Sequence, residues 1–121
     1  MLEHKHIIIR AKVERPPLDV EQTKEWFRNL IEKIDMKLLA GPIGVYLDVE
    51  GNRGMTMVAI IETSHIAMHV WDEQQPALMQ LDVYTCGALD PQKVFDHLQV
   101  FKPVHVEHLF LDRENNIEVL K

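Results

Sequence analysis

Cysteine occurs once in the 121 residues, at Cys86. A lone cysteine excludes an internal disulfide framework and any Cys-x-x-Cys zinc knuckle, which leaves a buried structural thiol or a reactive one. Clustered positive charge is missing too. The thirteen Lys and Arg residues are scattered, the formal net charge is −6 and the pI is near 5.6. The chain therefore lacks the phosphate-neutralising surface that nucleic-acid binding depends on. No window approaches the ~20 apolar residues of a membrane span, and Ile7-Ile8-Ile9 falls well short of a secretory h-region. These absences point to a soluble, cytoplasmic protein with no nucleic-acid and no membrane partner. Internal repeats and linkers are also absent.

Apolar residues at 46% and charged residues at 26% are ordinary globular values, and residues 1–121 read as one domain. Residues 4–14 are rich in β-branched side chains and stop before Pro16-Pro17, which cannot continue a sheet ladder. Asp19 reads as an N-cap forming a capping box with Gln22. Val20, Phe27, Leu30, Ile31 and Ile34 recur behind it at helical spacing, predicting a helix of about 16 residues packed on a sheet. Strand character returns over 38–49, and Glu50-Gly51-Asn52-Arg53-Gly54 supplies a hairpin turn. Residues 55–71 read as strand, break near Thr63-Ser64, and strand. Met57-Val58-Ala59-Ile60-Ile61 is continuously apolar, as for a strand buried on both faces. A turn at Gln74-Gln75-Pro76, a strand over 78–85, a helix from Asp90-Pro91 and a last strand after Pro103 complete the order β-α-β-β-β-β-α-β.

That order predicts an α+β fold, a two-layer sandwich of a mostly antiparallel sheet with two helices on one face. The continuously apolar strands predict that the other sheet face is apolar as well. A second copy covering it would give a helix-sheet-sheet-helix homodimer.

Chemistry concentrates in Glu62-Thr63-Ser64-His65-Ile66-Ala67-Met68-His69-Val70-Trp71-Asp72-Glu73, answered by Asp82-Val83-Tyr84-Thr85-Cys86-Gly87. Singly, a Ser in a strand break is a turn residue, a lone Cys is packing, and a strand His faces solvent. In this order they resemble the prokaryotic S-adenosylmethionine decarboxylase proenzyme family, whose members read Glu-Ser-His-x-x-x-His-Thr-Trp-Pro-Glu and, further on, Asp-Val-Phe-Thr-Cys-Gly. The resemblance extends to Asp90-Pro91 and Phe101-x-Pro103, and the family's architecture agrees with the sandwich dimer.

Decarboxylating an amino acid needs an electron sink, which a carbonyl forming a Schiff base with the substrate amine provides. The resemblance implies that this carbonyl is a pyruvoyl group made from Ser64, with cleavage between Thr63 and Ser64. It implies that His69 and Thr56 assist processing, with Gly54 also at a family position. It implies that Cys86 returns a proton to the substrate Cα, a role open to thiols because as a class they are protonated at neutral pH. Trp71 and Glu73 are implied to bind the substrate, the first by stacking on adenine. The implied substrate is S-adenosylmethionine, a small amino-acid-type molecule, and the product would supply spermidine synthesis.

The chain departs from the pattern in three places. Thr63 replaces the Glu before the cleaved Ser. Glu50 stands where relatives place a second stacking aromatic. The stretch 74–80 is lengthened, so that seventeen positions separate His69 from Cys86. The missing aromatic, with Asp48, Glu50, Asp72 and Glu73 nearby, leaves open a pyruvoyl-dependent decarboxylase of ornithine or arginine. An uncleaved, non-catalytic regulatory homologue is a third reading. No metal is expected: His65 and His69 lie about 13 Å apart along a strand, too far for one ion. His4 and His6 are expected to be solvated.

Overall fold

The computed structural model describes residues 2–120. The elements are β1 (Lys5–Val13), α1 (Val20–Lys33), β2 (Leu38–Leu47), β3 (Gly54–Ile61), β4 (Ser64–Trp71), β5 (Ala77–Thr85), α2 (Pro91–Leu98), β6 (Pro103–Asp112) and β7 (Glu118–Leu120). The strands form one sheet in the order β2-β3-β4-β5-β1-β6-β7, with every neighbouring pair antiparallel. The first eight elements follow the predicted order. β7 is an addition, too short and too polar at Glu118 to stand out in the sequence, and it forms because the turn after Asp112 returns the chain along β6.

Both helices start where their caps dictate. The Asp19 carboxylate accepts from the Gln22 amide at 2.9 Å and Asp90 accepts from the Gln92 amide at 3.0 Å, with Pro91 at the head of α2, satisfying amides that would otherwise lack partners. Trp26, Phe27, Leu30 and Ile31 of α1 and Val94 and Leu98 of α2 are buried against one face of the sheet. That face presents Ile7 and Ile9 of β1, Met55 and Met57 of β3, Ile66 and Met68 of β4, and Met79, Leu81 and Val83 of β5. Each such side chain contributes roughly 1.5–3 kcal/mol by leaving water.

The opposite face carries no layer. Side chains alternate across a strand, so Val58 and Ile60 of β3, expected to be buried on both sides, are 38% and 55% exposed. With Ile43, Val45, Ile8 and Leu109, also exposed, they make an open sheet face with substantial apolar area. In the single chain the continuous run Met57–Ile61 thus has one face covered by the helices and one apolar face open.

The helices are latched to each other by a reciprocal pair. The Trp26 indole N–H donates to the His97 carbonyl at 2.9 Å, and His97 Nε2 donates to the Trp26 carbonyl at 2.8 Å. Burial of the ring lowers the His97 pKa below its usual 6.5, against the opposing effect of that hydrogen bond. The native state therefore favours neutral imidazole, whereas the unfolded chain takes up a proton as pH drops below 6.5. The stability this provides is complete above 6.5 and is lost as pH falls from there through the lowered folded value. Urea midpoints measured from about pH 7.5 to about pH 5 should fall more steeply in the wild type than in His97→Gln, which cannot titrate; parallel profiles would show that this imidazole is not a source of the pH dependence.

Candidate active site

The β3–β4 connection is a two-residue turn, Glu62-Thr63, with Ile61 paired to Ser64 across it. Thr63 takes φ +44°, a left-handed conformation costly for a β-branched residue. The next peptide bond leads into Ser64, which is buried and whose hydroxyl donates to the Glu62 carbonyl at 2.6 Å. The strand break expected at Thr63-Ser64 is thus a tight, strained hairpin.

Cys86 lies at the same end of the sheet. Tyr84 pairs with His65 and Thr85 with Lys5, so the chain leaves β5 beside the start of β4. The Thr85 hydroxyl donates to the Gly87 carbonyl at 2.8 Å, holding the bend in which Cys86 is buried.

His69 and Thr56 are directly paired across β3 and β4, with the Thr56 hydroxyl and His69 Nδ1 3.1 Å apart. Because His69 lies five positions after Ser64, the two side chains project from opposite faces, about 16 Å apart along the strand. Ser64 shares the helix-covered face with Ile66, Met68 and Val70, while His69 and Trp71 stand on the open face. Within one chain the candidates form two groups: Thr63, Ser64 and Cys86 at one end, and Thr56, His69 and Trp71 at the other.

The second group is braced by the β2–β3 turn. Gly51 occupies that turn at φ +87°, and a Cβ at Gly54 would overlap the Val70 carbonyl, so both positions require glycine. The Trp71 indole N–H donates to Asn52 Oδ1 at 3.0 Å. Glu73 accepts from the Gly51 amide at 3.0 Å, the Arg53 amide at 3.3 Å and Arg53 Nη1 at 3.2 Å. Those two backbone hydrogen bonds, more than the Arg53 charge, hold its carboxyl below the usual range. The carboxylate expected to bind substrate is therefore occupied by the turn. Asp48 is bound by Arg53 Nε at 2.6 Å, and Asp72 accepts from the Tyr46 hydroxyl at 2.8 Å.

Clefts flank His69 and Trp71 on the open face. One of about 410 Å3 lies against Trp71, Leu78 and Lys12, one of about 280 Å3 runs beside His69, Arg10 and Asp82, and one of about 170 Å3 separates Trp71 and His69 from Leu47. A further cavity of about 220 Å3 between the Pro16-Pro17 segment and α1 touches none of the candidate residues.

A histidine network escaped the sequence reading. His6 on β1 and His65 on β4 both direct Nε2 to Asp82 Oδ1 of β5, at 3.1 and 2.8 Å. Burial, the largest single effect, raises the Asp82 pKa, but the hydrogen bonds and charge interactions with His6 and His65 together outweigh it and hold the carboxyl below its usual range. The three ligand-type atoms lie within 4.8 Å of one another. Arg113, however, approaches His6 Nδ1 at 3.1 Å, and a guanidinium can only donate. His6 therefore keeps its proton on Nε2, facing Asp82, the nitrogen a metal would need bare, so the arrangement is a hydrogen-bond network. His6 is engaged here rather than solvated. Strand order alone creates this cluster, since β1 inserts beside β5.

The fold places the chain among two-layer α+β sandwiches, and it resembles the crystal structure of the adenosylmethionine decarboxylase from Aquifex aeolicus, with TM-score 0.64 and 24% identity, covering 93% of this chain and 91% of that one. At that identity the likeness speaks for the fold. Sequence goes further. Residues 6–114 match the S-adenosylmethionine decarboxylase family model, and the chain belongs to that family. It is 30% identical over 115 residues to the S-adenosylmethionine decarboxylase proenzyme of Archaeoglobus fulgidus, covering 93% of this chain and 99% of that protein. It is 44% identical over 64 residues to the proenzyme of Pyrobaculum islandicum, 51% of this chain and 50% of that protein.

The Glu73 bracing has a measurable consequence. In Glu73→Ala the Gly51 and Arg53 amides should lose their acceptor, and their hydrogen exchange at neutral pH should accelerate by at least about tenfold while β4 core amides hold. Unchanged exchange at both amides would show that the turn stands without Glu73.

Proposed function

We propose that this protein is a self-processing, pyruvoyl-dependent decarboxylase that acts on S-adenosylmethionine and supplies spermidine synthesis in the cytoplasm. The observation that carries the reading is the left-handed Thr63 at φ +44° immediately before the hydroxyl-bearing Ser64, in a chain of this family. Backbone strain stored next to a nucleophile favours a reaction that breaks that peptide bond.

The chemistry balances on this chain's own atoms. Ser64 Oγ attacks the Thr63 carbonyl carbon, and the C–N bond breaks to leave an ester and a free Ser64 amine. Loss of the Ser64 Cα proton then expels the Thr63 carboxylate from Cβ, giving dehydroalanine at the new terminus, and water releases ammonia. Because the attacked carbonyl belongs to the backbone, Thr63 in place of Glu does not obstruct the first step. The pyruvoyl carbonyl so formed supplies the electron sink for an amino-acid substrate. Cys86, beside the same end of β4, holds the proton returned to the substrate Cα.

The 16 Å separation of Ser64 from His69 calls for a second copy of the chain. A two-fold axis in the plane of the open faces and across the strands lays the Ser64 end of one sheet over the His69 and Trp71 end of the other. It also covers Ile43, Val45, Val58 and Ile60, exposed in the single chain. Each site then takes Ser64 and Cys86 from one copy and Thr56, His69 and Trp71 from the other.

Substrate choice follows from where the carboxylates are. Asp48, Asp72 and Glu73 keep their charge, but their oxygens are engaged by Arg53, Tyr46 and the turn amides, so each already has a partner other than the cationic side chain of ornithine or arginine. S-adenosylmethionine, with a flat base to stack, suits the cleft better.

Intact-mass analysis of the purified protein is expected to find fragments 1–63 and 64–121, the second without a free amine, and Ser64→Ala should remain whole. Thr63→Gly, which relieves roughly 1–2 kcal/mol of left-handed strain, should process more slowly than the wild type. A single uncleaved species in every variant would favour a regulatory homologue.

A mixed dimer tests the shared site. Ser64→Ala and His69→Ala homodimers should each be inactive, and their mixture after subunit exchange should regain about a quarter of wild-type carbon dioxide release, since half the dimers are mixed and each holds one intact site. A mixture as inactive as its parents would place each site within one chain.

A further inference from the structure

We propose that Lys12 forms the second wall of the base-binding slot whose first wall is Trp71, its aliphatic stem taking the place of the aromatic that Glu50 replaces. This rests on the S-adenosylmethionine reading above.

The register fixes the geometry. Lys12 pairs with Leu78 and Leu78 pairs with Trp71, so three side chains stand in a row across β1, β5 and β4 on the open face. Two strand spacings separate Lys12 from Trp71 by about 10 Å at the backbone. A flat heteroaromatic ring in contact on both faces needs about 7 Å between the groups that sandwich it, at carbon contact distances of about 3.5 Å. The slot is thus wide enough for one ring and too narrow for two. Leu78, half-buried, makes an apolar floor. The same three residues line the cleft of about 410 Å3, inside the ~300–1,000 Å3 range of small-molecule sites. The cleft on the β3 side of the indole, about 170 Å3, falls below it.

Lys12 is free to take this role. Lys5, Arg10 and Arg53 are each held by carboxylates, whereas Lys12 has no ion pair among the described residues. Half-buried, it can lay its methylene stem along a ring while the ammonium reaches water at the rim.

The test is calorimetric titration of adenosine into processed wild type, Lys12→Ala and Lys12→Met, with steady-state carbon dioxide release from S-adenosylmethionine alongside and equal thermal midpoints as the folding control. Lys12→Ala should weaken adenosine about tenfold and raise KM by a similar factor, with kcat within about twofold. Lys12→Met, which keeps an unbranched stem, should stay within about threefold of wild type in both. If wild type and Lys12→Ala bind adenosine equally, Lys12 is not a wall and the substrate reading stands. If Lys12→Met falls as far as Lys12→Ala, the stem is not what contacts the ring and the proposal is overturned. If processed wild type neither binds adenosine nor turns over S-adenosylmethionine, the substrate reading fails and the slot fails with it.

Discussion

The register of the β3–β4 hairpin is the constraint from which the site follows. Ile61 must face Ser64 for Met55, Met57, Ala59 and Ile61 to lie in the core, because a slip of one residue would turn that whole set onto the open face. Holding the register with only Glu62 and Thr63 between the strands forces Thr63 into a left-handed conformation. The burial of four core side chains therefore sustains strain at one peptide bond, and that bond precedes the buried Ser64.

The same alternation separates the reactive groups. Ser64 and His69 are an odd number of residues apart on one straight strand, so no side-chain rotation unites them. Ser64 sits at the rim of the helix-covered face, and the imidazole, the indole and their clefts sit on the open one. In the proposed enzyme the open face is matched by that of a second copy. The helices supply no alternative cover, because α1 and α2 both bury their apolar stripes on the other side.

Charge on the open face is organised by hydrogen bonds. Arg53 draws Asp48 and Glu73 into the β2–β3 turn, and the turn in turn presents Asn52 to the Trp71 indole. His6 and His65 share Asp82 across three strands, with Arg113 over the Tyr84 ring at 4.5 Å. Acidic residues that look available in a linear text are engaged in this way, and Lys12, which has no ion pair among the described residues, lines the cleft beside Trp71.

Much of this was legible in the sequence. The caps at Asp19 and Asp90, the glycine turn at 50–54, the break at Thr63-Ser64 and the spacing of Ser64, His69 and Cys86 are local signals, set by propensity and by chemistry that a few neighbouring residues determine. Strand β7, the engagement of Glu73 by Gly51 and Arg53, and the meeting of His6 with His65 were not legible. Each depends on which strands lie side by side, and that order is decided by burying one shared apolar face, a property of the whole chain that no short stretch of it records. Local patterns in the chain marked every element but β7 and the candidate residues. Only the tertiary structure decided their partners, because hydrogen bonds and clefts form across strands distant in the chain, whereas periodicity reports only on the strand to which a residue belongs.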